Sequence, residues 1–116
     1  MYLKIVTFVP EELEEIRSRL STIFPGVTLD YEFIYPVIPT LEELWEELEP
    51  TFLERVGTLS YPLKIVHLPT PQLIETLLYD HPPALLVVCY RRLTPRITEL
   101  VTTLMARNYP LLLLSL

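Results

Sequence analysis

Short apolar runs alternate with amphipathic stretches along the whole chain, and this alternation predicts repeated strand–helix units. Leu3–Val9 (LKIVTFV) reads as a buried strand. Pro10 then suits a first helical position, where a missing N–H costs nothing, and Glu11 and Glu12 favour the positive end of a helix dipole. Leu13, Ile16, Leu20, Ile23 and Phe24 fall on one face of that helix, which Pro25-Gly26 ends. In Val27–Tyr35 the odd positions are apolar while Thr28, Asp30 and Glu32 are polar, the pattern of an edge strand or one with a wet face.

Thr40-Leu41-Glu42-Glu43 is a capping-box sequence and opens a helix with Leu41, Leu44, Trp45 and Leu48 inward. Pro50 breaks it, and Phe52, Leu53 and Val56 continue as a short second piece. Leu63–Leu68 is a third strand; Thr70-Pro71 starts a helix carrying Leu73, Ile74, Leu77 and Leu78, stopped by Pro82-Pro83. Ala84–Tyr90 (ALLVVCY) is apolar on both faces, as buried parallel strands are. Thr94-Pro95 starts the next helix, with Ile97, Leu100, Val101, Leu104 and Met105 inward, and Leu111–Leu116 (LLLLSL) is a fifth strand.

Five strands alternating with four helices through short connections predict right-handed crossovers. The expected fold is a single three-layer α/β/α domain over residues 1–116, with a mainly parallel five-stranded sheet and no fifth helix. The strand count fits a flavodoxin-like sheet of order 2-1-3-4-5, and a Rossmann-like order is the alternative.

Composition narrows the functional classes. Half the residues are apolar, which excludes disorder for most of the chain. The longest apolar runs are far short of the about 20 residues a membrane span needs. The start, Met1-Tyr2-Leu3-Lys4, shows no basic region followed by an apolar stretch, and predicts a cytoplasmic protein. The net charge of −6 is uneven: residues 1–60 hold 12 acidic and 4 basic side chains, residues 61–116 hold 3 and 5. An acidic surface disfavours general duplex binding, whereas the basic half can hold a small anion.

The candidate anion corner is Tyr90-Arg91-Arg92-Leu93-Thr94-Pro95-Arg96, with arginine forks around a helix N-terminus and His67 closing the third strand nearby. The same arginines suit pairing with the glutamates of the acidic half. The chain has two glycines, Gly26 and Gly57, and no GxGxxG or phosphate-cradling lysine loop, which speaks against a conventional nucleotide enzyme. His67 can serve as a general acid or base, but a lone histidine at a strand end is more often structural. Cys89, the single cysteine, reads as a buried inert residue, although neighbouring arginines would activate it. No catalytic set, metal site or cofactor is expected.

In its order of elements the chain resembles a receiver domain of two-component signalling. Glu11 and Glu12 follow strand one as a receiver's acidic pair does. His67 and Leu68 stand where the phosphorylated aspartate belongs, Tyr90 and Arg91 where a hydroxyl belongs, and no lysine follows strand five. The resemblance implies a pseudo-receiver that works by contact. Small CRISPR-associated Rossmann-like domains that sense or cut cyclic oligoadenylates share the alternation, without shared motif residues.

The expected function is therefore a non-catalytic regulatory or scaffolding domain acting through protein–protein contacts, including self-association as a homo-oligomer. Leu111, Leu112, Leu113, Leu114 and Leu116 are the expected interface, because an apolar strand with no following helix leaves sticky surface. The alternative is a sensor or enzyme for an anionic, nucleotide-like ligand held by Arg91, Arg92 and Arg96.

Overall fold

Every apolar run assigned to a strand among the described residues does form one, and all of these strands pair in parallel. The computed structural model describes residues 1–37 and 63–116. The strands are β1 (Tyr2–Thr7), β2 (Asp30–Pro36), β3 (Leu63–Val66), β4 (Leu85–Tyr90) and β5 (Leu111–Ser115). The helices are α1 (Leu13–Ile23), preceded by a 3-10 turn at Pro10–Glu12, then α2 (Thr70–Tyr79) and α3 (Pro95–Ala106). The expected helix from Thr40, with Leu41, Leu44, Trp45 and Leu48, and its continuation through Phe52, Leu53 and Val56 lie outside the described residues.

The sheet order is β3-β2-β1-β4-β5. The three-layer parallel α/β/α fold is thus as expected, and of the two strand orders left open the sheet has the Rossmann one. Consequently β2 is not an edge strand: it lies between β1 and β3. Its charged position, Glu32, sits across from Lys4 in the β1–β2 register.

Strand parity assigns the two faces. Val6, Ile34, Leu86 and Val88 face α2 and α3, packing with Leu73, Ile74, Leu77, Ile97, Leu100 and Leu104. Leu3, Ile5, Phe33, Val87, Cys89 and Leu114 face α1, packing with Leu13, Ile16 and Leu20. The central strands β1 and β4 are covered on both sides, which is why both read as continuous apolar runs.

Local signals explain the element ends. Thr94 caps α3, its Oγ1 accepting from Ile97 N at 3.3 Å. Thr70 is instead the first helical residue of α2, is buried, and caps nothing with its side chain. After α1 the chain turns through Gly26 at φ 76°, a left-handed conformation that glycine takes without a Cβ penalty. Asn108 does the same after α3 at φ 55°. No helix among the described residues is long and apolar enough to cross a membrane.

Candidate functional site

In an open parallel sheet, ligands bind beyond the carboxyl ends of the strands where the strand order reverses. Here that point lies between β1 and β4. The turn leaving β1 is tight: Phe8 N donates to Cys89 O at 2.9 Å, and Val9 N donates to the buried Thr7 Oγ1 at 3.0 Å. No glycine opens this turn to a phosphate. The 3-10 turn instead presents Glu11 and Glu12 at the head of α1, where negative charge is favoured.

Arg91, just past β4, reaches across the switch point to both carboxylates. Its Nη1 donates to Glu11 Oε1 at 3.1 Å and its Nη2 to Glu12 Oε1 at 2.6 Å. All three side chains are partly exposed. The chain's own carboxylates thus occupy the guanidinium that an anionic ligand would need, and they repel phosphate from the head of α1.

The other members of the expected corner are spread over different tasks. Arg96, in the first turn of α3, donates to Pro36 O at 3.3 Å and Leu68 O at 3.4 Å, tying the end of β2 to the chain just beyond β3. Burial lowers its pKa, and neighbouring Tyr35 and Glu99 oppose that shift. The Tyr35 hydroxyl is pushed up by burial and by Glu11, with Arg96 opposing. Thr94 is spent on its cap, and Tyr90 packs half-buried against the α2–α3 side of the core. His67 is half-buried just after β3. Arg92 is exposed and forms no ion pair or hydrogen bond with its side chain among the described residues. Arg91 and Arg96 therefore spend their hydrogen bonds on different parts of the edge.

Cys89 is fully buried on the α1 face. Burial pushes its thiol up to about 12, and the charge that opposes this is Arg19 of α1 rather than the arginines beyond β4. A thiol so protonated is a poor nucleophile at neutral pH.

Lys4 is the feature that strand patterning hid. It is 3% exposed in the central strand, facing α2. Its Nζ donates to Thr76 O and Leu77 O, each at 3.2 Å, and to Asp80 O, so the ammonium caps the carboxyl end of α2. Burial pulls its pKa below the ordinary lysine value, with Glu32 and Asp80 opposing. Beside it, Tyr2 donates to Glu32 Oε2 at 3.1 Å, and burial followed by Glu32 raises the phenol to about 12. A lysine inside an otherwise apolar strand was the available signal, because buried lysine requires partners.

The β5 margin differs. Leu116 N donates to Tyr90 O at 2.9 Å, and Pro110 O accepts from Leu86 N at 3.0 Å. With the β4–β5 register this places the backbone groups of Leu112 and Leu114 toward β4. Leu111, Leu113 and Ser115 therefore direct theirs away from the sheet. Leu114 is buried and Leu112 and Leu116 pack on the α1 side, Leu111 packs on the α2–α3 side, and Leu113 is 41% exposed.

No protein-family model matches the chain, and no curated protein matches it in sequence. Fold and site define it as a parallel α/β sandwich with Rossmann strand order.

Proposed function

We propose that this chain is a non-catalytic contact domain, regulatory or scaffolding in role, that associates with protein, including itself, through the outer edge of β5. One observation carries the reading. β5 is the outermost strand on its side of the described sheet, and it combines the outward-directed backbone groups of Leu111 and Leu113 with an exposed leucine at its centre. Such an edge is a template for strand addition. The pairing of Arg91 with Glu11 and Glu12 at the switch point supports the non-catalytic half of the reading, since that guanidinium already has carboxylate partners. The test is light scattering across a dilution series from micromolar to near-millimolar protein. Mass rising above that of one chain with concentration is the expected result; a monomer throughout contradicts it.

A second reading draws on Arg92, which stands exposed beside the switch point. It makes the chain a sensor or enzyme for an anionic, nucleotide-like ligand held by Arg91, Arg92 and Arg96. Thermal-shift screening with nucleotides separates the two readings. A ligand at 100 times its dissociation constant adds about 2.7 kcal/mol, and Arg91→Ala with Arg92→Ala abolishes that gain if the corner binds it.

A further inference from the structure

The outward face of β5 is not bare along its whole length. At its carboxyl end Arg19 of α1 donates from Nη1 to Ser115 O at 2.6 Å. Ser115 is one of the residues whose backbone points away from β4. The guanidinium is steadied from its own helix, since Arg19 Nε donates to Glu15 Oε1 at 3.1 Å. A helix side chain has thus been brought over the sheet to occupy a backbone acceptor that an added strand would use. Charged groups at a sheet edge are a recognised means of blocking such addition.

We propose that Arg19 is a gate on the β5 edge, and that the partner it holds off is a second copy of this chain pairing antiparallel through β5. The proposal rests on the reading of β5 as the contact surface.

The choice of a second copy follows from the spacing of the outward groups. A two-fold axis through Leu113 lets Leu113 N–H and C=O exchange both hydrogen bonds with the Leu113 of the other copy. The same axis sets Leu111 opposite Ser115 at each end of the seam, so the edge is complementary to itself. A two-fold contact of this kind closes on a dimer, whereas head-to-tail addition would leave a free edge. The exposed Leu113 side chains lie next to each other in that arrangement and cover one another. At both ends the acceptor for Leu111 N–H is Ser115 O, the oxygen that Arg19 occupies. Closing the seam therefore sets each Arg19 guanidinium in competition with an incoming Leu111 N–H for Ser115 O. A five-residue strand spans only roughly 17 Å, so the seam makes a small contact by the standard of durable interfaces. One charge-assisted bond at each end is large enough to set the balance.

Sedimentation velocity over a dilution series tests this with wild type, Arg19→Met, Glu15→Gln, Leu113→Pro and the Arg19→Met/Leu113→Pro double variant. Methionine keeps the aliphatic stem while removing the donors. Proline at position 113 removes an outward N–H and leaves the β4 pairing intact, the placement in which an edge strand tolerates it. Circular dichroism verifies that each variant is folded, and Arg19→Ala replaces Arg19→Met if the latter is not. The expected result is a dissociation constant roughly tenfold lower for Arg19→Met, a smaller decrease for Glu15→Gln, and loss of association in both proline variants. Equal association of wild type and Arg19→Met, abolished by Leu113→Pro, overturns the gate and leaves the β5 reading standing. Association that survives Leu113→Pro overturns the β5 reading itself. No association in either wild type or Arg19→Met at near-millimolar concentration overturns both.

Discussion

The centre of the sheet and its β5 margin treat their polar groups in opposite ways. At the centre, Lys4 is buried and fully engaged by the end of α2, and Arg91 closes the switch point onto Glu11 and Glu12. At the margin, the outward groups of Leu111 and Leu113 face away from the sheet and a single guanidinium covers Ser115 O. In the crevice where parallel sheets usually take small ligands, Arg91 is engaged by the chain's own carboxylates, whereas the outward backbone groups of β5 lie at a strand edge. Backbone edges recruit strands, not metabolites, and this contrast is what directs the functional reading to protein contact.

The largest effect that sharpens the contrast is alkaline destabilisation from the centre. The Cys89 thiol is raised from 9.0 to about 12, so the folded state keeps a proton that the unfolded chain has lost in that window. Its stabilisation is complete below pH 9 and is lost as the pH rises toward 12, at about 1.4 kcal/mol per unit and about 4 kcal/mol in all. Urea unfolding at stepped pH should show this slope in wild type and a shallower one in Cys89→Ala. A residual slope above pH 10 is expected from Tyr2, raised from 10.0 to about 12 with the same sign. Identical slopes in the two proteins would mean that the thiol is solvated and the centre less tightly packed than described.

Next in size is the loss of the lysine cap. Lys4→Met strands three carbonyls at the end of α2 and should cost about 2–3 kcal/mol in chemical denaturation. Lys64→Met, at an exposed position on β3, should stay within about 0.5 kcal/mol. Equal costs for the two would erase the distinction between centre and edge.

The smallest effect is at the switch point. Arg91→Ala breaks ion pairs whose side chains are 37–52% exposed, and should cost no more than about 1 kcal/mol. Its value to the comparison lies in binding. If Arg91→Ala lets Glu11 and Glu12 bind a cation, or weakens binding of a nucleotide seen in wild type, the crevice is a ligand site and the contrast with the margin fails.

Much of this architecture was legible from the chain because local chemistry set it. The apolar runs gave the strands to within a few residues, and Thr94-Pro95 marked the head of α3 through a cap that the structure contains. The strand order was not legible, since both orders use the same elements and the same short crossovers. The alternation in β2 pointed to an edge or to a wet face. The strand is not an edge, but its polar positions keep solvent contact, Asp30 being exposed and Glu32 half-buried while accepting from the Tyr2 hydroxyl. At the candidate site, the three arginines were visible as a cluster in sequence, but their partners are distant in the chain: Glu11 and Glu12 for Arg91, Pro36 O for Arg96. Lys4 was masked by its apolar neighbours. The apolar character of β5 was plain; the alternation of its backbone and the reach of Arg19 to Ser115 needed coordinates.

Amide hydrogen exchange along β5, measured at several protein concentrations, tests the central claim most directly. If the edge pairs, the amides of Leu111, Leu113 and Ser115 exchange quickly in dilute protein and become protected as concentration rises, while Leu112 and Leu114, already bonded to β4, hardly change. Association that leaves the three outward amides unprotected would contradict the account.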